Sequence, residues 1–380
     1  MCIVVRINKL IFQNIRNHKL TEIELHPNIN IFRGLNGVGK TSILEAIAIA
    51  GLSKSFQPVG DSIVLNRDAN DYSVSLNATN DYGIPYFVSI KYTKNEKKII
   101  SNTIGDNLLP KDIIGELPLV VLSPDFKEIT FGSPSERRAL IDRILSQSYK
   151  TYLADWLKLK RILRQRSAFL TQYLKNNAGD CSQFDIWTQL LIEVSAEIIW
   201  KRLDFIEKFS THFIALYEKV SRGKETVQLK YRPFDIKDVS SKQSIKQQLE
   251  LSAEKYRDDE LRRGINLFGP QRDDLKILIN GGSSREFASQ GQHKSLLIAI
   301  KFAEFRFLKE ILNETPVILL DDIFSELDQE RIEQVLRLVD EHKAQTFITV
   351  NYANFLNSLP QADAYALFDV QDGEVAEASR

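Results

Sequence analysis

The chain has 380 residues, of which 43% are hydrophobic and 26% are charged, and fifty basic side chains balance fifty acidic ones. This length exceeds what one hydrophobic core normally serves, so the sequence predicts two or three domains. No apolar run approaches the ~18 residues of a membrane span, which excludes an integral membrane protein, and the balanced charge requires any nucleic-acid contact to come from a local basic patch.

Two further features bear on where the protein works. Residues 1–10 contain no separate apolar segment followed by small residues, so no secretory signal peptide is predicted there and we expect a cytoplasmic protein. Cys2 and Cys181 lack the spacing of metal ligands and predict neither a disulfide framework nor a zinc site. A reducing compartment fits both observations.

The periodicity of apolar residues divides the chain into three parts. Alternating or continuous apolar runs predict strands at residues 3–7, 29–32, 72–76, 86–92 and 119–122. A helical period then runs from about residue 135 to Gly264, interrupted by a short strand at 226–231. After it the sequence predicts strands at 275–279, 317–320 and 346–350 and helices at 292–312 and 331–339. The first and last parts are therefore predicted to share one sheet.

Residues 34–41 match the P-loop pattern G-x-x-x-x-G-K-[ST] between a predicted strand and the start of a helix. In such a loop, backbone N–H groups surround phosphate oxygens, Lys40 reaches the β- and γ-phosphates, and the Thr41 hydroxyl faces Mg²⁺. The alternative, a glycine-rich turn without a ligand, rarely has this pattern together with both flanking elements. The predicted nucleotide-binding residues are Gly34, Leu35, Asn36, Gly37, Val38, Gly39, Lys40 and Thr41.

A continuous apolar run at residues 316–320 ends in two carboxylates, Asp321 and Asp322. This is typical of a buried parallel strand whose carboxyl end faces a ligand. The run resembles a Walker B strand, in which Asp321 joins Thr41 at the metal, while Asp322 orients the attacking water and is catalytic together with Lys40. The alternative is an Asp pair that caps the next turn, and the P-loop in the same chain favours the first interpretation.

Ser289, Gly291 and Gln292 form a polar turn in front of a predicted helix. A turn of this kind is, by itself, most simply a helix cap. Its position about thirty residues before the carboxylate pair gives it a second interpretation, because it closely resembles the signature motif of ATP-binding-cassette ATPases. In that superfamily the Ser hydroxyl, the Gly N–H and the helix N-terminus close over the γ-phosphate of ATP held by a second subunit. Ser325 and Asp328 resemble the D-loop that crosses the same dimer interface.

Within that superfamily the sequence resembles the RecF family, which is related in its head to SMC proteins. The resemblance covers nearly the whole chain, and its Arg-Arg and Arg-Asp-Asp motifs are those that separate the family from other cassette ATPases. Besides the P-loop and residues 42–47, it is carried by Phe12-Gln13-Asn14-Ile15-Arg16-Asn17, Leu122-Ser123-Pro124-Asp125, Gly132-Ser133-Pro134-Ser135-Glu136-Arg137-Arg138 with Asp142, Leu163-Arg164-Gln165-Arg166, Gly269-Pro270-Gln271-Arg272-Asp273-Asp274-Leu275, and residues 320–328.

The resemblance implies an α/β fold, an ABC-type P-loop ATPase head with an inserted, mainly helical lobe. We expect a discontinuous ATPase lobe at residues 1–120 and 265–380 and a helical lobe, the candidate DNA contact, at residues 121–264. The family further implies ATP and Mg²⁺ as cofactors and an ATP-dependent homodimer that binds single-stranded, gapped or junction DNA. It also implies work with RecO and RecR to load RecA, support of the SOS response, and slow ATP hydrolysis that resets the DNA clamp.

Three departures from related ATPases leave some roles open. Gln271 stands where the family usually has His, no Q-loop glutamine follows the strand at residues 119–122, and Asn351 occupies the place of a switch histidine. The main alternative function, the ATP-binding subunit of a membrane transporter, predicts that histidine and a glutamate after the Walker B Asp, where this chain has Asp322. A GTPase would need an N-K-x-D motif, which the sequence lacks.

The segment 150–175 is locally very basic, with seven Lys or Arg residues against Asp155 alone. Spacings of three and four residues allow several of these cations to share a helix face and contact phosphates. The alternatives are a solvated face or internal ion pairs with the acidic run Glu254, Asp258, Asp259 and Glu260. The candidate DNA contacts are Lys158, Lys160, Arg161, Arg164 and Arg166, with Arg137 and Arg138 as a second possibility for DNA or a dimer interface.

Overall fold

The computed structural model describes residues 3–176, 180–351 and 364–378, so Cys2 lies outside the described residues. The chain divides into two compact units, unit 1 with Met1–Lys127 and Lys294–Arg380, and unit 2 with Glu128–His293. The division differs from the predicted one, which assigned residues 265–293 to the ATPase lobe. The reason is a strand at residues 274–279 that pairs with the strand at residues 227–232, inside the helical segment.

The elements of unit 1 come from both ends of the chain. The N-terminal part contains β1 (Ile3–Ile15), β2 (His18–Glu24), β3 (Ile29–Arg33), α1 (Lys40–Leu52), α2 (Asp61–Val64), β4 (Asp71–Asn80), β5 (Pro85–Thr93), β6 (Ile99–Asn102), α3 (Pro110–Ile113) and β7 (Leu119–Leu122), followed by a 3-10 turn at Pro124–Lys127. The five strands predicted in this part lie within β1, β3, β4, β5 and β7. The prediction missed β2, in which exposed and buried positions are mixed.

Unit 2 is mainly helical. It contains α4 (Glu128–Phe131), α5 (Pro134–Ser148), α6 (Lys150–Asn176), α7 (Ser182–Ser221), β8 (Val227–Arg232), α8 (Lys242–Arg263), a 3-10 turn at Pro270–Arg272, β9 (Asp274–Ile279), β10 (Gly282–Ser283) and α9 (Ser284–Phe287). The strands form an antiparallel sheet in the order β10-β9-β8, and α7 packs against α6, α8 and β8.

The next helix, α10 (Gln290–Leu312), contains the unit boundary, and the rest of the chain belongs to unit 1. It contains β11 (Glu314–Thr315), β12 (Val317–Asp321), a 3-10 turn at Ile323–Ser325, α11 (Gln329–His342), β13 (Thr346–Val350), β14 (Tyr365–Gln371) and β15 (Glu374–Glu377). None of the described helices is both long and apolar enough to cross a bilayer.

Two sheets of unit 1 enclose the helix that follows the P-loop. One has the order β15-β14-β3-β13-β12-β7, and its strands from β14 to β7 are parallel. The other has the order β11-β1-β4-β5-β6, with β2 paired to β1. Because strands of both sheets contact α1, nearly all of its residues are buried, which explains why this helix is apolar all round. The loops after β3, β12 and β13 emerge together at the carboxyl edge of the parallel sheet.

Candidate functional site

The P-loop of unit 1 connects β3 to α1, and two of its glycines are required by geometry. Gly39, which precedes the first turn of α1, has a φ of 110°, a left-handed value that other residues rarely adopt. A Cβ atom on Gly34 would lie 2.4 Å from the carbonyl oxygen of Val370. The glycines therefore let the backbone turn tightly against the neighbouring strand.

Side chains at the connection between β1 and β2 bind carbonyl groups of the P-loop backbone. The Asn17 amide donates to the Val38 carbonyl at 2.8 Å, and the Gly373 N–H donates to the same oxygen at 3.0 Å. The Nε2 atom of the fully buried His18 lies 3.0 Å from the Gly39 carbonyl. Burial lowers the pKa of His18, although its bonds to Gly39 and Gly373 act in the opposite direction. A neutral imidazole that donates from Nε2 therefore orients the Gly39 peptide.

The Lys40 ammonium is surrounded by oxygens without formal charge. It donates to the carbonyls of Gly34 at 2.8 Å and Leu35 at 2.7 Å, and to the Asn351 side-chain oxygen at 2.9 Å. Burial lowers the pKa of Lys40, whereas the carboxylates of Asp322 and Asp321 act to raise it. Its positive charge therefore remains uncompensated at close range and is available to an anion.

The predicted metal residues meet directly at the carboxyl edge of the sheet. The Thr41 hydroxyl donates to Oδ1 of Asp321 at 2.8 Å, and the Thr349 hydroxyl donates to the same oxygen at 2.9 Å. Burial raises the pKa of Asp321 although both hydroxyl bonds act to lower it. The Asp322 N–H donates to the Thr349 hydroxyl oxygen at 2.9 Å, and Asp322 adopts a left-handed φ of 46°. A hydroxyl and a carboxylate oxygen at this distance suit a hard cation such as Mg²⁺.

A cavity of about 350 Å³ opens beside the P-loop, and part of its lining was not predicted. Asp322 was predicted, whereas Arg16, Asn17, Glu45 and Gln57 were assigned no role. Arg16 donates to both carboxylate oxygens of Glu45, at 3.0 and 2.9 Å, and to Gln57 at 3.1 Å. Arg16 and Asn17 were part of the family resemblance, but no local pattern in the sequence pointed to Gln57.

The signature residues lie in unit 2, at the start of α10. The Gln292 N–H donates to the Ser289 hydroxyl oxygen at 3.2 Å, and the Ser289 N–H donates to the Gln292 side-chain oxygen at 2.6 Å. This reciprocal pair is a capping box, so the interpretation of this turn as a helix cap is confirmed. Ser289 itself is exposed, with Gly291 in the first turn of the helix.

The D-loop residues lie in unit 1 between β12 and α11. The Ser325 hydroxyl donates to the Asp322 carbonyl at 2.8 Å, and the Asp328 carboxylate caps α11 by accepting the Arg331 N–H at 2.9 Å. Burial acts to raise the pKa of Asp328, but the bonds and charge of Arg331 outweigh it and lower the pKa. The Lys294 ammonium donates to the Glu326 carbonyl, which ties this loop to α10.

Known proteins resemble this chain over nearly its whole length. The family described as RecF/RecN/SMC N terminal domain matches residues 6–375. The DNA replication and repair protein RecF of Chloroherpeton thalassium is 37% identical over 350 residues, which cover 91% of this chain and 94% of that protein. The chain belongs to the RecF family. RecF of Lysinibacillus sphaericus is 30% identical over 372 residues, 98% of this chain and 99% of that protein.

Solved structures agree with this assignment. The structure of the recombination mediator protein RecF with ATP in the RecFOR pathway has a TM-score of 0.90 and 28% identity, covering 99% of this chain and 98% of that one. An SMC head domain from Pyrococcus furiosus, at 16% identity and a TM-score of 0.55, covers 99% of this chain and 96% of that one, and shares the fold. The predicted α/β ATPase head with an inserted helical segment is thereby confirmed.

The Arg-Arg pair contacts the two aspartates of the Arg-Asp-Asp motif within unit 2. Arg137 is 6% exposed and donates to Asp274 at 3.0 Å and to the Gly132 carbonyl at 2.8 Å. Arg138 donates to the Asp273 carbonyl at 2.6 Å. The hypothesis that Arg137 contacts DNA or a second subunit is therefore wrong, because its side chain is occupied inside the unit.

Arg202, which the sequence analysis did not single out, joins this network from α7. Its guanidinium donates to Asp142 at 2.7 Å, to Asp273 at 3.3 Å and to the Pro270 carbonyl at 2.9 Å. Tyr152 lies 3.1 Å from its Nε atom. Arg202 is 1% exposed, so these partners replace the hydration of its guanidinium.

Of the five candidate DNA contacts predicted on α6, four are exposed and one is buried. Lys158, Lys160, Arg161 and Arg164 are exposed, but Arg166 is fully buried and donates to Glu260 at 2.6 Å. Arg166 is therefore not a DNA contact. It forms the internal ion pair that was the alternative interpretation, because α8 covers this face of α6. The Lys160 ammonium lies 3.6 Å from the centre of the Trp156 ring, and burial lowers its pKa.

Proposed function

We propose that this protein binds ATP and Mg²⁺ at the P-loop of unit 1 and uses ATP to control its binding to DNA. The observation that carries this proposal is the convergence of Lys40, Thr41, Asp321 and Asp322 at one sheet edge. Lys40 has only neutral oxygens around its charge, which phosphate oxygens can replace. The ATP-containing RecF structure that resembles this chain at a TM-score of 0.90 supports the choice of nucleotide.

The donor set fits Mg²⁺ as the accompanying ion. Thr41 and Asp321 would hold the ion, because both offer oxygen ligands and their oxygens lie 2.8 Å apart. When bound, Mg²⁺ would neutralise charge on the phosphates. Asp322, which lines the cavity, would orient the water for hydrolysis, and weak hydrolysis would serve as a reset step.

ATP would also join two copies of the chain. Each composite site would combine Lys40 and Asp322 of one copy with Ser289, Gly291 and Gln292 of the other, and Ser325 and Asp328 would line the same interface. Ser289 suits this role because it is exposed and its oxygen is occupied only as an acceptor among the described residues. Its hydroxyl proton is therefore free to be donated to a γ-phosphate.

DNA would contact the exposed cations of α6, namely Lys158, Lys160, Arg161 and Arg164. Such side chains bind the phosphate backbone without reading the base sequence, which suits single-stranded, gapped or junction DNA. The helical segment at residues 121–264 would thus be the DNA-contacting lobe, and the ATPase lobe its switch.

The biological role would be recombinational repair in the cytoplasm, with RecO and RecR as mediators that help load RecA and support the SOS response. The relatives named DNA replication and repair protein RecF, and a solved RecF from the RecFOR pathway, support this role. The transporter alternative is not favoured, because the most similar proteins reported above are repair proteins.

The test is DNA binding to gapped, single-stranded and duplex oligonucleotides, with and without ATP, across a salt series. We expect ATP to tighten binding, and Lys160→Glu with Arg164→Glu to weaken it and to reduce the salt slope by about 0.9 for each lost phosphate contact. The control is Lys230→Glu with Lys237→Glu, an equal charge change at exposed positions elsewhere in unit 2. Equal effects of both double variants would reject the α6 patch.

Dimerisation is tested separately by sedimentation. Ser289→Arg should retain ATP binding but not form the ATP dimer, since a long cation would occupy the interface. Asp322→Asn should bind ATP and accumulate as the dimer. A Ser289→Arg protein that dimerises normally would reject the composite site, and an Asp322→Asn protein that hydrolyses ATP at the wild-type rate would remove Asp322 from catalysis.

A further inference from the structure

A chain of hydrogen bonds leads from the exposed signature serine into the interior of unit 2. The Gln292 side chain uses its oxygen to accept the Ser289 N–H at 2.6 Å and its Nε2 atom to donate to Glu225 at 2.7 Å. The second carboxylate oxygen of Glu225 accepts the Tyr217 hydroxyl at 2.5 Å. Ser289 is exposed, Gln292 and Glu225 are half-buried, and Tyr217 is fully buried. The contacts thus become progressively more protected from water.

The carboxylate of Glu225 determines how the Gln292 amide is oriented in this series of hydrogen bonds. A carboxylate can only accept hydrogen bonds, so the group of Gln292 that faces it must be the NH₂ end of the amide. The amide oxygen is then turned toward the Ser289 N–H, which completes the capping box. With its oxygen accepting the Gln292 N–H, the Ser289 hydroxyl keeps its proton free for an external acceptor.

The backbone around Glu225 is itself held in place. Arg222, which follows the last residue of helix α7, caps it in the left-handed conformation, and the N–H groups of Arg222 and Gly223 both donate to the Glu218 carbonyl. Four residues on, Thr226 and Asn280 exchange hydrogen bonds, with the Asn280 N–H donating to the Thr226 carbonyl at 2.8 Å. Glu225 therefore sits on a short connection anchored at both ends, between α7 and β8.

We propose that Glu225 is a positioning residue for the signature motif, holding Ser289 through Gln292 so that its hydroxyl meets the γ-phosphate bound by a second copy of the chain. This inference rests on the composite site of the proposed function. It also gives α7 a role, because this helix carries Tyr217 at one end of the series of hydrogen bonds and packs against α6, the helix of the candidate DNA patch. The orientation of the signature serine is thereby linked to the helical core of unit 2.

The decisive variants are Glu225→Ala and Glu225→Gln. Glutamine keeps an acceptor for the Gln292 amide and can donate its own NH₂ to the Tyr217 oxygen, so Glu225→Gln should dimerise like the wild type. Glu225→Ala removes the acceptor in both composite sites of the dimer, so we expect ATP-dependent dimerisation to need about a hundredfold more protein, about tenfold for each lost hydrogen bond to a charged group. ATP affinity of the isolated monomer should stay unchanged in both, because the P-loop lies in unit 1.

Mixed dimers separate positioning from a general loss of structure. In Glu225→Ala mixed with Lys40→Ala, the intact P-loop meets an intact signature, so this mixed dimer should form at the same protein concentration as wild type mixed with Lys40→Ala. Glu225→Ala mixed with Ser289→Arg contains no site with an intact signature, and dimerisation should not recover. A merely destabilised Glu225→Ala chain would fail in both mixtures, which would overturn the inference.

Two other outcomes are equally clear. If Glu225→Ala dimerises at the wild-type protein concentration, or if Glu225→Gln is as defective as Glu225→Ala, Glu225 does not act by orienting the Gln292 amide. If the wild-type protein itself forms no ATP-dependent dimer, the proposed function fails first and this inference fails with it.

Discussion

Lys40 in unit 1 and Arg202 in unit 2 are both buried cations, at 6% and 1% exposure, but their partners differ in kind. Lys40 is held by two backbone carbonyls and an amide oxygen. Arg202 is held by two carboxylates, a carbonyl and two tyrosine hydroxyls. Burial acts to lower the pKa of each, and it prevails at Lys40, whereas at Arg202 the surrounding tyrosines and carboxylates prevail and raise the pKa.

This difference separates a cation that binds from a cation that supports the fold. Neutral oxygens satisfy the hydrogen bonds of Lys40 without cancelling its charge, so an anionic phosphate can displace them with a gain in electrostatic energy. The carboxylates around Arg202 cancel its charge and leave nothing for an external ligand. The same rule removes Arg137 and Arg166, each paired with a carboxylate, from the candidate DNA contacts.

The largest effect should come from Arg202→Leu. The change leaves Asp142 and Asp273 without their buried counter-ion, and breaking such a network by removing one partner costs about 3–5 kcal/mol of unfolding free energy. The three tryptophans, Trp156, Trp187 and Trp200, all belong to unit 2, so urea unfolding followed by tryptophan fluorescence reports on this unit.

The control for Arg202→Leu is Lys208→Ala on the same helix. Lys208 pairs with Asp204 at 2.8 Å with both side chains about half exposed, and such a pair contributes less than about 1 kcal/mol. If the two variants lose similar unfolding free energy, the compensated network does not support the fold of unit 2.

The second-largest expected effect is a dependence of the unfolding free energy on pH. Burial raises the pKa of Asp273 from 3.8 to about 6, and the bonds from Arg202, Tyr231 and Phe234 only partly oppose this. Because the folded state then binds the proton more tightly than the unfolded state, the unfolding free energy should fall as pH rises through the window from about 4 to 6. The shift corresponds to about 3 kcal/mol, most of it present at pH 4 and absent at pH 7.

The comparison of wild type with Asp273→Asn isolates this contribution, since asparagine does not titrate. The difference in unfolding free energy between the two proteins, measured by urea titration at pH 4 and pH 7, should favour the wild type more at pH 4. A difference that does not change with pH would mean that Asp273 keeps its ordinary pKa inside the network.

Sequence patterns predicted the local parts of the nucleotide site and missed the parts that arrive from elsewhere in the chain. The P-loop and the two carboxylates each follow a strand directly, so their placement needs only the carboxyl edge of a parallel sheet. Gln57 reaches the same site through the fold alone. Asn351, by contrast, directly follows β13 at the place of the switch histidine, and the structure adds its contact with Lys40. Arg166 was assigned to DNA because the sequence does not indicate which cation of α6 pairs with the acidic run that contains Glu260, 94 residues later.

The predicted boundary at residue 265 differs from the observed one because it, too, depends on a contact between distant parts of the chain. The return of a strand signal at residues 275–279 indicated the ATPase lobe, yet this strand pairs with β8. No spacing rule in one sequence identifies the partner of a strand, because pairing depends on the two faces that meet.

Lys40→Ala tests the other buried cation, which we expect to bind phosphate without supporting the fold. We expect ATP affinity to fall by about a hundredfold, the loss of charge-assisted bonds to phosphate, while the unfolding free energy changes by less than about 1 kcal/mol because no counter-ion is left unpaired. Isothermal titration with ATP and urea unfolding followed by circular dichroism measure the two quantities. A large loss of stability would show that Lys40, like Arg202, supports the fold.

The smallest expected effect concerns Asn351, the one side-chain partner of Lys40 among its three described contacts. Asn351→Asp converts a neutral partner into a carboxylate, so Lys40 acquires the kind of compensation that Arg202 has, and the new charge also repels phosphate. ATP affinity should fall by about tenfold, the difference between a neutral and a charged hydrogen bond. Asn351→Ala, which removes the partner without adding charge, should change the affinity by less. If the two variants bind ATP equally, the charge of its partners does not decide whether Lys40 is free to bind phosphate, and the distinction drawn from Arg202 does not extend to the P-loop.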